Sequence, residues 1–201
     1  MTVRSIPTNY AGCTYRSRVE ARWAIWFDSV GLRFQYEPQG FFIRSGAYLP
    51  DFWVEGWRMF LEVKGVEPTD EERRKCAELA IAAECDVLLA VGAPEERFQL
   101  LWFDRDGERE DRYAIARDKF SAAGFWLVSD SAFDDRGNWI GPNKTRFLPR
   151  GPMFSGALDQ AFAEARSARF EHGEARARYP EIAETDHERA WHPSQPITGA
   201  A

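Results

Sequence analysis

The alternation of apolar and polar residues divides the first third of the chain into a helix and strands. Between Tyr15 and Val30 the apolar residues recur at helical spacing, which predicts an amphipathic helix. Thr14 or Ser17 is a suitable N-cap, and Gly31 favours a stop after the last turn. Three strand candidates follow, with these bounds: Arg33–Tyr36 together with Phe41–Ile43, then Tyr48–Val54, then Met59–Lys64.

The pattern changes at Gly65–Pro68, after which Thr69 and three acidic residues predict a second helix that runs to about Glu84. The remaining predictions are strands over Asp86–Val91, Phe98–Phe103 and 124–129, a loop over Asp134–Gly151, a helix over Phe154–Phe170 and a mobile polar tail from Tyr179. The order of helix, three strands, helix and strand predicts an α/β fold with a mixed sheet flanked by helices, extended by a C-terminal strand, loop and helix.

Composition and charge narrow the class of protein. The 201 residues are 44% hydrophobic and 29% charged, which is typical of a globular protein with a sizeable core. The net charge of −6 is uneven, since residues 1–65 carry +2 and residues 66–112 carry −7. A local DNA-binding surface is therefore compatible with the sequence. No apolar run suits a bilayer or a signal peptide, and three cysteines without C-x-x-C spacing favour reduced thiols. We therefore expect a cytoplasmic protein without a membrane partner or an organic cofactor.

The stretch YLPDFWVEGWRMFLEVKG places charged residues on two predicted strands that are otherwise apolar. Glu62 and Lys64 share one face of their strand, while Leu61 and Val63 point to the other. Pairing of the two strands would bring Asp51 beside Glu62, where two carboxylates repel each other unless a positive group lies between them. An ion pair with Lys64 or a solvated sheet end would explain the pattern. A Mg²⁺ ion is the sharper hypothesis, because it takes oxygen ligands and keeps several waters.

The motif Pro50-Asp51 followed by Glu62-Val63-Lys64 resembles the signature of the PD-(D/E)XK nuclease superfamily, which has the restriction-endonuclease-like fold. Glu20, on the predicted first helix, matches a further glutamate that is common in that family. The resemblance covers roughly residues 14–92, including the order of elements. The flanking stretches also look like those of small nucleases encoded by phages and mobile elements.

This resemblance implies a Mg²⁺-dependent endonuclease that acts on DNA, with Mn²⁺ able to substitute. Asp51, Glu62 and the backbone carbonyl of Val63 would ligate the metal, and Glu20 would hold a second metal or a metal-bound water. Lys64 would assist the nucleophilic water and offset charge on the phosphate. The implied organisation is an N-terminal extension over 1–13, a nuclease domain over 14–130, a loop and helix over 131–178 and a flexible tail over 179–201.

Two groups of basic residues are candidates for contact with nucleic acid. Arg16, Arg18 and Arg22 make the start of the first helix basic, and Lys144 and Arg146 lie in the predicted loop. A solvated helix end and an ordinary connecting loop explain the same residues. A surface pair between Arg16 and Glu20, four residues apart, would likewise explain both side chains.

Two other functions remain open from the sequence. One is a non-catalytic nucleic-acid-binding or assembly module that retains the fold. The other is an RNA-processing nuclease, because no residue reports on contact with a 2′-hydroxyl. Cleavage of both DNA strands would require two active sites, hence a homodimer or a partner protein.

Overall fold

A computed structural model describes residues 5–107, 112–117, 124–130, 146–149 and 158–170. The strands are β1 (Thr8–Tyr10), β2 (Cys13–Tyr15), β3 (Phe34–Tyr36), β4 (Phe41–Ile43), β5 (Gly46–Tyr48), β6 (Phe52–Val54), β7 (Met59–Lys64), β8 (Val87–Val91), β9 (Leu100–Phe103), β10 (Arg112–Arg117), β11 (Gly124–Ser129) and β12 (Arg146–Pro149). The helices are α1 (Arg18–Ser29), α2 (Asp70–Ala83) and α3 (Leu158–Ser167). None of these helices has the length and apolar character needed to cross a bilayer.

Eight of the strands form one mixed sheet in the order β12-β11-β10-β9-β8-β7-β6-β3. Strands β7 and β8 run parallel, and the other described neighbours in this sheet are antiparallel. The pairs β1–β2 and β4–β5 form separate two-stranded hairpins. The predicted α/β class with a mixed sheet and helices is confirmed.

The central strands are covered on both faces. Leu61 and Val63 point into the core, as the sequence predicts, and this core lies beneath α1 and α3. Phe60 and Leu89 face the opposite way and pack with Leu79 of α2. Glu62 therefore lies on a face that is buried under α2 and the β4–β5 hairpin, since side chains two apart share a face.

Helix α1 begins at Arg18, three residues later than predicted, because Ser17 is the N-cap. Ser17 has an extended backbone, and its hydroxyl accepts a hydrogen bond from the backbone N–H of Glu20 at 3.2 Å. Gly31 adopts a φ of 67° after the last turn, as expected for a glycine stop. Trp26 of α1 stacks on Phe162 of α3 with ring centroids 5.6 Å apart, which joins the two helices.

Helix α2 and strand β7 match their predictions. Thr69 and Glu72 form a reciprocal capping box at the start of α2, and Glu84 ends the helix in the left-handed region. Strand β7 has the predicted bounds. The capping residue and the acids of the first helical turn therefore locate the start of α2 in the sequence.

The predicted continuous strand over Tyr48–Val54 is wrong. Strand β5 ends at Tyr48 and β6 begins at Phe52, so Asp51 lies between the two strands and belongs to neither. Pro50 has no N–H to contribute to a ladder. The N–H of Asp51 is directed to the Glu62 side chain, 3.3 Å away, instead of to a neighbouring strand.

Other elements also differ from the sequence prediction. The grouping of Arg33–Tyr36 with Phe41–Ile43 is wrong, because Glu37 turns the chain at a φ of 47° and the two pieces join different sheets. Strands β1, β2 and β10 were not predicted, and β12 lies in the predicted loop over Asp134–Gly151. The predicted helix over Phe154–Phe170 is shorter at its described end, where α3 stops at Ser167. Residues 151–157 and the predicted tail lie outside the described residues.

Candidate active site

The two acids of the predicted motif lie side by side at the open end of the β6–β7 hairpin. The register pairs Phe52 with Leu61, so Asp51, one residue before β6, comes beside Glu62. The backbone N–H of Val63 donates to Asp51 Oδ2 at 2.7 Å, and the backbone N–H of Asp51 donates to Glu62 Oε2 at 3.3 Å. These reciprocal bonds fix both carboxylates against the main chain. Their exposed fractions are 2% for Asp51 and 3% for Glu62.

Two buried acids at this spacing make an unfavourable arrangement for negative charge. Burial raises the pKa of Asp51 well above its ordinary value, and the neighbouring charges of Glu62 and Glu20 raise the pKa further. The Val63 N–H and the Arg16 guanidinium act in the opposite direction but do not prevail. Such a carboxylate gains more than an exposed one from an added cation.

Lys64 supplies one positive charge from the same face of β7. Its Nζ donates to Glu62 Oε1 at 3.0 Å and lies 3.8 Å from Glu72 Oε1 on α2. Burial acts to lower the pKa of Lys64, but the Glu62 charge and hydrogen bond outweigh burial and leave the pKa raised. The side chain is 26% exposed. The raised pKa favours the predicted role of Lys64 in offsetting charge on the phosphate.

The partly buried Tyr48 and the buried Cys76 both interact with Glu62. Burial raises the pKa of the Tyr48 hydroxyl, and so do the charge of Glu62 and a side-chain hydrogen bond to it. Cys76 of α2 is fully buried and interacts with Tyr48. Sequence reasoning placed neither residue in the site. Tyr48 is recognisable afterwards as the last residue of β5, two positions before Pro50-Asp51.

Glu20 is held at the start of α1 and is 6% exposed. Its carboxylate accepts hydrogen bonds from the Ser17 hydroxyl at 2.7 Å, the Tyr36 hydroxyl at 2.6 Å and the Arg16 backbone N–H at 3.1 Å. Its charge acts on Asp51. The structure thus brings Glu20 into the electrostatic environment of the motif. Its oxygens are already engaged by three protein donors.

Arg16 contacts the acids differently from the helix-surface pair with Glu20 considered above. It precedes α1, and its guanidinium Nη2 contacts Asp51 Oδ1 while Nε lies 2.8 Å from Glu37 Oε1. Only a fold that brings residues 16, 37 and 51 together creates this contact, and no local pattern in the sequence predicts it. Arg16 is therefore part of the site.

The remaining residues predicted to contact nucleic acid are Arg18, Arg22, Lys144 and Arg146. Arg18 is the first residue of α1 and Arg22 lies one turn further along. Lys144 lies outside the described residues, and Arg146 is described only as the first residue of β12. Contact of these residues with nucleic acid stays a prediction.

The chemistry of the donor set suits a hard divalent cation. Asp51 and Glu62 offer carboxylate oxygens beside the main chain of Val63, and Mg²⁺ commonly uses one or two carboxylates together with waters and substrate phosphate. The described part of the chain contains no group of three or more His, Cys, Asp or Glu side chains arranged as a metal site. Glu20 therefore does not join the two motif acids in a ready-made cage, and its metal role stays a prediction.

Comparison of the chain with protein-family models, with curated proteins and with solved structures found no match. The chemistry of the site must therefore be inferred from its own contacts. Those contacts combine two buried acids, a lysine and an arginine at one end of the β6–β7 hairpin.

Proposed function

We propose that the protein is a divalent-metal-dependent nuclease that hydrolyses phosphodiester bonds in DNA, on a restriction-endonuclease-like core. The observation that carries the proposal is the pair of buried acids, Asp51 and Glu62, which main-chain hydrogen bonds hold side by side next to Lys64. Buried charge is costly to a fold, and sites that keep such groups are often functional.

The order of elements adds support. In the main sheet and its helices, the chain runs α1, β3, β6, β7, α2, β8, which is the order of helix, three strands, helix and strand expected for this core. The parallel pairing of β7 with β8 and the antiparallel hairpin β6–β7 place the acids at one end of the sheet.

Each residue has a distinct task in this proposal. Asp51 and Glu62 would hold Mg²⁺ or Mn²⁺, and the bound cation would supply polarisation of the phosphate and of the attacking water. The N–H of Val63 keeps the Asp51 carboxylate oriented. The Lys64 ammonium would stabilise the negative charge that grows on the phosphate as the water attacks.

The test uses linear, circular, branched and single-stranded DNA, together with single-stranded RNA, in Mg²⁺ or Mn²⁺ and in chelator. We expect cleavage of DNA that requires the divalent ion, with cutting of the circle showing endonuclease activity. Glu62→Gln should abolish cleavage. Glu71→Gln, which removes the same charge from an exposed position on α2, should retain it.

Two results would contradict the proposal. Cleavage of RNA alone would favour the RNA-processing reading. Binding of DNA in chelator with no cleavage of any substrate would favour a non-catalytic binding module.

A further inference from the structure

Arg16 occupies the position next to Asp51 that a cation would be drawn to. The two oxygens of Asp51 have different partners, since Oδ2 accepts the Val63 N–H and Oδ1 accepts Arg16 Nη2. The donor of the Val63 bond belongs to the main chain of β7. The Arg16 bond depends on one long side chain.

The backbone of Arg16 is held by hydrogen bonds, whereas its side chain is exposed and can move. The Arg16 backbone N–H donates to Glu20 and to the Tyr36 hydroxyl, at 3.1 Å and 3.0 Å. The side chain is 52% exposed, whereas Asp51 is buried. The guanidinium can therefore leave Asp51 by side-chain rotation without displacing the start of α1.

The geometry of the pair also differs from that of a permanent structural bridge. An arginine that secures a carboxylate permanently tends to use two parallel N–H groups on one partner. Arg16 divides its nitrogens, with Nη2 on Asp51 and Nε on Glu37, and Glu37 is itself 28% exposed. Loss of the Asp51 contact would leave Arg16 with a partner.

We infer that the Arg16 guanidinium and a divalent cation are alternative partners of Asp51 Oδ1, and that the released guanidinium binds a phosphate of the nucleic acid. This inference rests on the proposed function and adds an exchange step to it. Arg16 then neutralises Asp51 until a cation takes its place, and afterwards contacts the substrate directly. Arginine suits the second half of the exchange, because its planar fork matches phosphate oxygens.

The first test measures Mn²⁺ binding by calorimetry, without nucleic acid, for wild type, Arg16→Met and Arg58→Met. Arg58 is an exposed arginine at the opposite end of the β6–β7 hairpin, so it controls for the loss of one positive charge. We expect Arg16→Met to bind Mn²⁺ at least about fivefold more tightly than wild type, which is the lower end of ordinary coupling between two sites. Arg58→Met should bind as wild type does. Arg16→Gln provides a second variant if Arg16→Met folds poorly.

The outcomes separate this inference from the proposed function. Equal Mn²⁺ affinity in wild type and both Arg16 variants would overturn the exchange while leaving the metal site intact. Absence of Mn²⁺ binding in wild type and in the Arg16 variants would overturn both the exchange and the proposed metal dependence.

The second test measures DNA affinity in Ca²⁺ and in chelator. We expect Arg16→Met to weaken DNA binding several-fold in Ca²⁺ and to have little effect in chelator, because the guanidinium is released only when the cation is bound. A purely structural arginine would give the same loss in both conditions. Equal losses would therefore contradict the phosphate half of the exchange.

Discussion

Strands β7 and β8 run parallel at the centre of the sheet, but they carry different chemistry. Their register pairs Glu62 with Leu89 and Lys64 with Val91. Strand β8 is apolar along its whole length, as expected for a parallel strand covered on both faces. Strand β7 is buried to the same depth and nevertheless carries an acid that is 3% exposed.

This difference separates the side chains that the sheet needs for packing from the charged side chain that it does not need. Leu89 satisfies the packing requirement with an ordinary side chain, so the sheet does not need a carboxylate at the level of Glu62. The acid instead requires Lys64, Tyr48 and the Asp51 N–H as partners. We interpret the charged end of β7 as a feature that lowers the stability of the fold and is kept because the function needs it.

The largest expected effect comes from making β8 resemble β7. Leu89→Glu would bury a second acid beside Glu62 without a lysine to pair with it. We expect a loss of about 3–5 kcal/mol in the free energy of unfolding, as for a buried charge left unpaired. Urea denaturation measures this loss. Leu89→Met is the control and should cost less than about 1.5 kcal/mol. A Glu variant as stable as the Met variant would show that the site accepts unpaired charge without cost.

A smaller effect is expected from neutralising Asp51, and it should depend on pH. Burial and the charges of Glu62 and Glu20 raise the pKa of folded Asp51 above the ordinary 3.8. The stability that its protonated form contributes is fully present below the unfolded pKa and is lost as pH rises through the folded pKa. Asn cannot ionise, so Asp51→Asn should gain stability relative to wild type across that interval and keep the gain above it. The gain should fall within the roughly 0.5–3 kcal/mol typical of single substitutions.

Urea unfolding of both proteins at several pH values measures the gain of Asp51→Asn. Asp106→Asn, in an exposed turn, is the matched control and should follow wild type. A difference between Asp51→Asn and wild type that does not change with pH would contradict the raised pKa.

The smallest expected effect concerns the outer partner of Lys64. Glu72 lies 3.8 Å from the Lys64 ammonium and its side chain is 37% exposed, so solvent screens the pair. Glu72→Gln keeps a side-chain oxygen for the capping box at Thr69 and should change stability by less than about 1 kcal/mol. It should also leave cleavage largely intact. A loss of cleavage as large as that of Glu62→Gln would place Glu72 inside the site.

The sequence predicted the elements that have strong periodicity or a capping signal. Helices α1 and α2 and strand β7 carry such signals in Trp23, Trp26, Thr69 and the alternation around Glu62. Strands β1 and β2, which the sequence does not predict, are three residues long, which is too short for a period of two to stand out. Strand β12 follows a segment rich in glycine and proline and gains its pairing from β11, a partner that local sequence does not reveal.

The site was predictable in its acids and unpredictable in its surroundings. Asp51 and Glu62 could be placed together because a hairpin connects them within eleven residues. The Arg16 contact joins residues 35 positions apart, and Tyr36 reaches Glu20 across 16 positions. Such contacts depend on the packing of α1 against the sheet, which the periodicity of a single element does not specify.

The most direct test of the central claim is a paired measurement of cleavage rate and DNA affinity for wild type and Lys64→Ala. Cleavage is measured in Mg²⁺, and affinity is measured in Ca²⁺ to limit turnover. Lys64 should act chiefly on charge that appears in the transition state, so its loss should slow cleavage by about 10²-fold or more while affinity changes by only about threefold or less. Parallel losses of cleavage and affinity, or undiminished cleavage by Lys64→Ala, would contradict the assignment of this end of β7 as a nuclease active site.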